Sequence, residues 1–191
     1  MASIYDPDWE LVEKSRRGDP LAFDGLVIKY RNRIMGIATR IVGNRVEAED
    51  LAQDVFVKVY HSLKGFQGKA RFSTWLYRIT ANSCLNHRRR RKRENQISVS
   101  VENPGPTIPS EARNPHTLLE EKELKVLLEK AIQALPQEQR MVLILRDIEG
   151  LSYEEIAVSL GVELGTVRSR LHRARLVVQG RIKPFLPQGA A

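Results

Sequence analysis

The chain has 191 residues, 42% hydrophobic and 28% charged, a length that suits one domain or two small ones. This composition excludes a disordered tail, no apolar run reaches the roughly 20 residues that span a bilayer, and residues 1–9 do not resemble a secretory signal. With a single cysteine, Cys84, and a net charge of +8, we expect a cytoplasmic protein without disulfides that binds a polyanion.

The first two predicted helices have clear local boundaries. A short helix over residues 9–17 stops at Gly18. Asp19 and Pro20 then begin a long helix as its N-cap and first helical residue, and Gly43 ends it.

A third helix is predicted over about residues 47–63, and one of its faces is polar. Opposite its apolar stripe lie five side chains: Asp50, Gln53, Asp54, Val57 and His61. Two carboxylates could bind a metal, but a di-metal site needs further Glu or His at matching helical spacing, which the sequence does not provide. Acidic groups beside an exposed apolar residue suit a basic protein surface, so we interpret this face as a docking surface.

Aromatic and basic residues are interleaved through residues 65–93, where a fourth helix starts near Ser73 and continues into the basic run at residues 88–93. The aromatic residues are Phe66, Phe72, Trp75 and Tyr77, and they lie among Lys69, Arg71 and Arg78. Rings that stack on unpaired bases, beside cations that follow the backbone, are typical of a single-stranded nucleic acid surface. The alternative is that these aromatic residues belong to the helical core. A core position is favoured more for Phe72 than for Trp75, and it accounts less well for loop residues 66–69. Cys84 and His87 have ligand spacing, but two ligands do not make a zinc site.

Residues 98–117 read as a linker between two helical units, because four of the nine prolines lie there without helical periodicity. The net charge is +8 over residues 1–97, −1 over the linker, −5 over residues 118–163 and +6 over residues 164–191. The positive charge is therefore concentrated in two separate blocks. Helices of the second unit are predicted near residues 118–134, 137–148, 152–159 and 163–180.

Residues 152–176 have the pattern of a helix-turn-helix. Ser152 and Glu155 fit a capping box, and Gly161 allows a tight turn before the second helix. In this motif the second helix enters the DNA major groove. Its outward face carries Arg168, Ser169, His172 and Arg173, which can read base edges, while Arg170 and Arg175 flank the buried stripe and suit phosphates.

Together these segments resemble the small extracytoplasmic-function (ECF) class of bacterial RNA polymerase sigma factors, of the sigma-70 family. DLAQDVFVKVY at 50–60 is similar to its core-polymerase-binding region, and FSTWLYRITANSCLNHRRRR at 72–91 to its promoter-melting and −10 recognition region. Residues 135–175 are similar to its −35-binding domain. The resemblance implies an all-α protein of two small domains, 1–95 and 118–187, joined by a Pro-rich linker at 96–117, with no catalytic residue and no cofactor.

The resemblance and the residue patterns together assign roles to individual residues. Core polymerase docking is expected at Asp50, Gln53, Asp54 and Val57. Contacts to the −10 element or the melted strand are expected at Phe66, Lys69, Arg71, Trp75, Arg78, Asn82 and Asn86. The expected −35 readers are Arg168, Ser169, His172 and Arg173, and the expected phosphate contacts are Arg88, Arg89, Arg170 and Arg175. The implied partners are core RNA polymerase, promoter DNA and, as for many members of the family, an anti-sigma protein.

Two other functions stay open on sequence alone. A one-component helix-turn-helix regulator would bind operators without being a polymerase subunit, but it leaves residues 65–93 without a role. A nuclease would need clustered carboxylates or His for a metal, and Asp50 with Asp54 is the one pair to consider. We therefore expect a sigma factor that directs promoter-specific transcription initiation.

Overall fold

The computed structural model describes residues 5–97 and 115–185, with the exception of the side chains of residue 92 and of residues 94–97 and 115–122. No β-strand occurs within these ranges. Two compact units divide the chain, with α1 to α4 in the first and α5, α6, the start of α7 and α8 in the second. The helices of the first unit are α1 (Trp9–Arg16), α2 (Pro20–Val42), α3 (Arg45–Ser62) and α4 (Phe72–Ile97). Those of the second are α5 (Pro115–Gln133), α6 (Gln137–Leu143), α7 (Tyr153–Leu160) and α8 (Leu164–Ile182).

Local capping sets the boundaries of α2 and α3. The Asp19 carboxylate accepts a hydrogen bond from the backbone N–H of Leu21 at 2.9 Å, and Gly43 ends α2 with a left-handed φ of +82°. Asn44 then caps α3 through the N–H of Val46 at 2.9 Å. The prediction that Asp19 begins α2 and Gly43 ends it is confirmed.

The core of the first unit lies between α2, α3 and α4. Its fully buried side chains include Leu26, Ile34, Ile37, Ile41, Val55, Val59, Leu76 and Tyr77. Polar contacts add to this packing at the edge of the core, where His87 and Arg91 of α4 both pair with Glu47 of α3. The two helices are therefore fixed along their length, which holds the outward face of each in a defined direction.

The second unit is built around α6 and α8. Its core contains Met141, Val142, Ile144, Leu145, Val167, Leu171 and Ala174. Arg140 is buried there and donates to the backbone carbonyl groups of Gln133 and Leu135, which satisfies carbonyls at the end of α5. A single π-helical turn, Ile144–Ile148, continues α6.

The capping box predicted for the helix-turn-helix is present. The Ser152 N–H donates to the Glu155 carboxylate at 2.8 Å, and the Glu155 N–H donates to Ser152 Oγ at 3.1 Å. Gly161 has a φ of +64° at the turn between α7 and α8.

The predicted linker ends earlier than expected, whereas its start at residue 98 agrees with the end of the preceding helix. α4 continues to Ile97. α5 begins at Pro115, because proline fits the first turn of a helix, where its missing N–H is not needed. The remainder of the predicted linker, residues 98–114, lies outside the described residues.

Candidate nucleic-acid and partner surfaces

The outward face of α8 carries the four predicted base readers. Val167, Leu171 and Ala174 are buried against the unit, which turns the opposite side of the helix to solvent. The side chains of Arg168, Ser169, His172 and Arg173 are all exposed on that side. The Ser169 hydroxyl donates to the Thr166 carbonyl at 3.1 Å, so one of the four has a local hydrogen bond in the free chain.

The two arginines that flank this face are held by carboxylates of the same unit. Arg170 pairs with Glu138 of α6. Arg175 donates to both carboxylate oxygens of Asp147, at 2.6 and 3.0 Å, and this hydrogen bonding raises the pKa of Arg175. DNA phosphates that bind these two arginines would therefore have to displace the carboxylates or share the arginines with them.

The predicted docking face of α3 is exposed along its whole length. Asp50, Gln53, Asp54 and Val57 all face solvent, and the Val57 side chain is 56% exposed. Val46 and Tyr60 extend the same stripe, at 68% and 55% exposed, and sequence analysis missed both. Their spacing of four and three residues from Asp50 and Val57 was the signal that could have found them.

The loop between α3 and α4 corrects one expectation. Phe66 is 4% exposed, and its ring packs on Trp75 at 5.0 Å and Phe72 at 6.1 Å between centroids. Phe66 is thus a core residue in this structure and offers no ring to an unpaired base. Its neighbours Lys69 and Arg71 are exposed.

One face of α4 continues from this loop. Arg78, Asn82, Asn86 and Arg89 recur every three or four residues and are all exposed, and Trp75 at the start of the same stripe is partly exposed. Arg88 is turned inward instead, and donates to the Ile41 carbonyl at 3.2 Å. The basic run therefore splits between an exposed face and contacts that hold α4 to its own unit.

No group of three or more His, Cys, Asp or Glu side chains within the described ranges is arranged to hold a metal ion. Cys84 is fully buried, and burial raises the pKa of its thiol to about 12. Among the helices described, none is long and apolar enough to cross a membrane.

Comparison with known proteins links both units to transcription. The family model "Sigma-70 region 2" matches residues 26–94, and "Sigma-70, region 4" matches residues 125–177. The chain is 39% identical over 186 residues to the RNA polymerase sigma-H factor of Pseudomonas aeruginosa, covering 95% of this chain and 96% of that protein. It is 36% identical to the ECF RNA polymerase sigma-E factor of Escherichia coli K12, covering 94% and 96%. A similar solved structure is that of the sigma factor RpoE from Bartonella quintana in complex with the anti-sigma factor NepR. It has a TM-score of 0.71 and 28% identity, and the match covers 84% of this chain and 96% of that one.

Proposed function

This chain belongs to the ECF class of bacterial RNA polymerase sigma factors, of the sigma-70 family, and we propose that its two units recognise separate promoter elements. A sigma factor binds core RNA polymerase and directs it to promoters, where transcription begins. The observation that carries the division of labour is that each matched region presents its own exposed polar face, on α4 with its preceding loop and on α8.

The second unit reads the −35 element through α8. Arg168, Ser169, His172 and Arg173 enter the major groove, where arginine donates two hydrogen bonds to guanine and the other polar groups reach base edges or phosphates. Arg170 and Arg175 lie at the sides of this face and contact the phosphate backbone, sharing their charge with Glu138 and Asp147.

The first unit binds the −10 element. The loop cations Lys69 and Arg71 follow the backbone of the melted strand, while Trp75, Arg78, Asn82 and Asn86 form the face of α4 beside it. Arg89 extends this face towards duplex phosphates. Phe66 supports the loop from beneath, and Arg88 supports α4 through Ile41, so both act by holding the surface in place.

The docking surface for core polymerase is the exposed stripe of α3. Asp50, Gln53, Asp54 and Val57 form its centre, and Val46 and Tyr60 extend it. Carboxylates around an apolar centre fit a basic surface with an apolar patch, because desolvated hydrophobic contact supplies affinity while charge sets orientation.

The chain supplies specificity to the polymerase and carries no catalytic group of its own, and it acts in the cytoplasm, where core polymerase and DNA are. An anti-sigma protein is a further partner, a proposal supported by the RpoE–NepR complex among its structural relatives.

Reconstitution tests this function directly. Purified chain added to core polymerase should give run-off transcripts at promoters with two elements, whereas core polymerase alone should give none. A one-component regulator would instead bind palindromic duplexes tightly as a symmetric dimer without polymerase. That gel-shift result, together with no run-off product at any genomic promoter, would contradict the proposal.

A further inference from the structure

The segment before α1 reaches across the first unit to the start of α4. The backbone N–H of Phe72, the first residue of α4, donates to Asp6 Oδ2 at 2.6 Å. The first N–H groups of a helix have no partner within it, and a carboxylate there also interacts favourably with the helix dipole. A residue 66 positions earlier in the chain thus caps α4. The other oxygen, Asp6 Oδ1, accepts from the N–H of Asp8 at 3.0 Å.

Asp8 fixes this segment to α2. Its side chain is 2% exposed, accepts from the Tyr30 hydroxyl at 2.5 Å and pairs with Lys29. The Tyr30 ring in turn packs edge-on against Phe72, with 5.6 Å between the ring centroids. A buried carboxylate is tolerated only when it is paired and hydrogen-bonded, so Asp8 holds one specific arrangement of the segment.

Trp9 touches the loop itself. Gly68 has a φ of +66°, and a Cβ added there would stand 2.9 Å from Trp9 Cζ3. The indole ring therefore lies directly on the backbone of Gly68, where only glycine leaves room for it.

These contacts hold three points of one loop. Phe66 anchors its beginning in the aromatic cluster, Trp9 covers its middle at Gly68, and Asp6 caps its end at Phe72. Between these points the side chains of Gln67, Lys69 and Arg71 remain exposed.

We propose that Asp6, Asp8 and Trp9 are positioning residues, which set the loop of residues 66–71 in the conformation that binds the melted −10 strand. The inference rests on the proposed role of this loop in DNA binding. Holding a loop in its bound conformation raises affinity because less conformational entropy is lost on binding.

The test uses holoenzyme made with the full chain and a promoter fragment that the unaltered holoenzyme transcribes. One probe is a fork, duplex through the −35 element with a single-stranded tail over the −10 element, and the second probe is the same duplex without the tail. Asp6→Ala should weaken binding to the fork about fivefold, the scale of a lost cap, and Trp9→Ala should also weaken it because the ring no longer covers Gly68; both should leave binding to the tailless duplex unchanged. Asp24→Ala removes an exposed carboxylate of α2 and should change neither.

Each result decides the matter. Full fork affinity in both variants, or equal losses on both probes, overturns the proposal. Melting temperatures are measured in parallel, and if Asp6→Ala does not fold, Trp9→Ala decides alone, since Trp9 is 42% exposed and lies outside the buried core.

A third variant separates this proposal from the proposed function. Lys69→Ala combined with Arg71→Ala removes the exposed loop cations. If this double variant keeps full fork affinity, the loop does not bind DNA and the proposed function of the loop fails. If it loses affinity while Asp6→Ala and Trp9→Ala keep it, only the positioning role is overturned.

Discussion

Arg173 is one of the four side chains of α8 that are proposed to read the −35 element. It is exposed, and it lies on the side of the helix away from the buried Val167, Leu171 and Ala174. Replacing Arg173 with Ala should weaken binding of the holoenzyme to promoter DNA by about 1–3 kcal/mol and relax specificity at one position of the −35 element. Competition binding with single-base variants of the promoter measures both effects.

Arg181 is the matched control for that substitution. It is an exposed arginine of the same helix, about two turns beyond the four readers. Arg181→Ala should leave the base preference unchanged. Equal losses for the two variants, with no change in base preference for Arg173→Ala, would remove Arg173 from the reader set.

Asp54 lies at the centre of the exposed stripe of α3 that is proposed to dock on core polymerase. Asp54→Lys reverses the charge at the centre of the docking stripe, so repulsion from a basic partner should weaken binding to core polymerase at least tenfold, about 1.4 kcal/mol. A pull-down titration with core polymerase measures this loss. Asp24→Lys makes the same charge change on the exposed side of α2 and should bind normally. Undiminished binding by Asp54→Lys would place the docking surface elsewhere.

Phe66 shows where residue-level reading of the sequence failed. Residues 66–69 were expected to be explained poorly by a core position because they lie in a loop, where helical-wheel arithmetic has no meaning. The ring instead joins Phe72 and Trp75, because burying an aromatic ring is more favourable than leaving it in water. The four exposed α8 positions were predictable since they lie on a regular helix with a complete apolar stripe.

Helix boundaries were predictable where the cap is local. Asp19 with Gly43 for α2, and Ser152 with Glu155 for α7, are sequence signals that act within about four residues of the helix end. The start of α4 was predicted near Ser73, one residue from its position at Phe72, but its capping residue was not, because Asp6 supplies the cap across 66 positions and no local pattern indicates such a contact. The length of α5 escaped prediction for a related reason, as Pro115 reads equally as a linker residue and as the first residue of a helix.

The ion pairs beside α8 give a prediction for the whole element. Glu138 and Asp147 hold Arg170 and Arg175, so DNA phosphates compete with two carboxylates. Glu138→Gln combined with Asp147→Asn should tighten promoter binding. It should also steepen the dependence of log affinity on log salt, by up to about 0.9 for each further phosphate that the released arginines neutralise.

A salt titration of the variant holoenzyme measures both quantities. Glu123→Gln combined with Asp24→Asn, at exposed carboxylates of α5 and α2, makes the same change in net charge and serves as the control. If the double variant and its control have the same salt slope, releasing the two arginines adds no phosphate contact, which would contradict the expected competition between carboxylates and phosphates.

At the scale of the molecule, the net charge of +8 resolves into distinct surfaces. Residues 118–163 carry a net charge of −5. Within this stretch, Glu138 and Asp147 pair with arginines of α8 and so partly neutralise its positive charge. In the first unit, the acidic docking stripe of α3 is separate from the basic face of α4. Net charge alone predicted a polyanionic partner, whereas the proposed division into a docking surface and two DNA surfaces depends on which side chains each helical face exposes.

The chain is well suited to a direct test of this division. Cys84 is its single cysteine, and its burial and raised pKa protect it from thiol reagents. A cysteine can therefore be placed at Gln67, exposed in the loop, or at Gly165, where an added Cβ meets nothing within 4 Å. Gln67 lies in the loop proposed to bind the melted strand, but its side chain, like Gly165, is not among the residues given a DNA contact.

The measurement is DNA cleavage by an iron chelate tethered to Gln67→Cys or Gly165→Cys in the promoter-bound holoenzyme, with the unsubstituted chain treated in the same way as background. We predict cuts centred on the −10 element from position 67 and on the −35 element from position 165. Cuts at the same element from both positions, or none above background from either, would contradict a sigma factor that reads two promoter elements with two separate units.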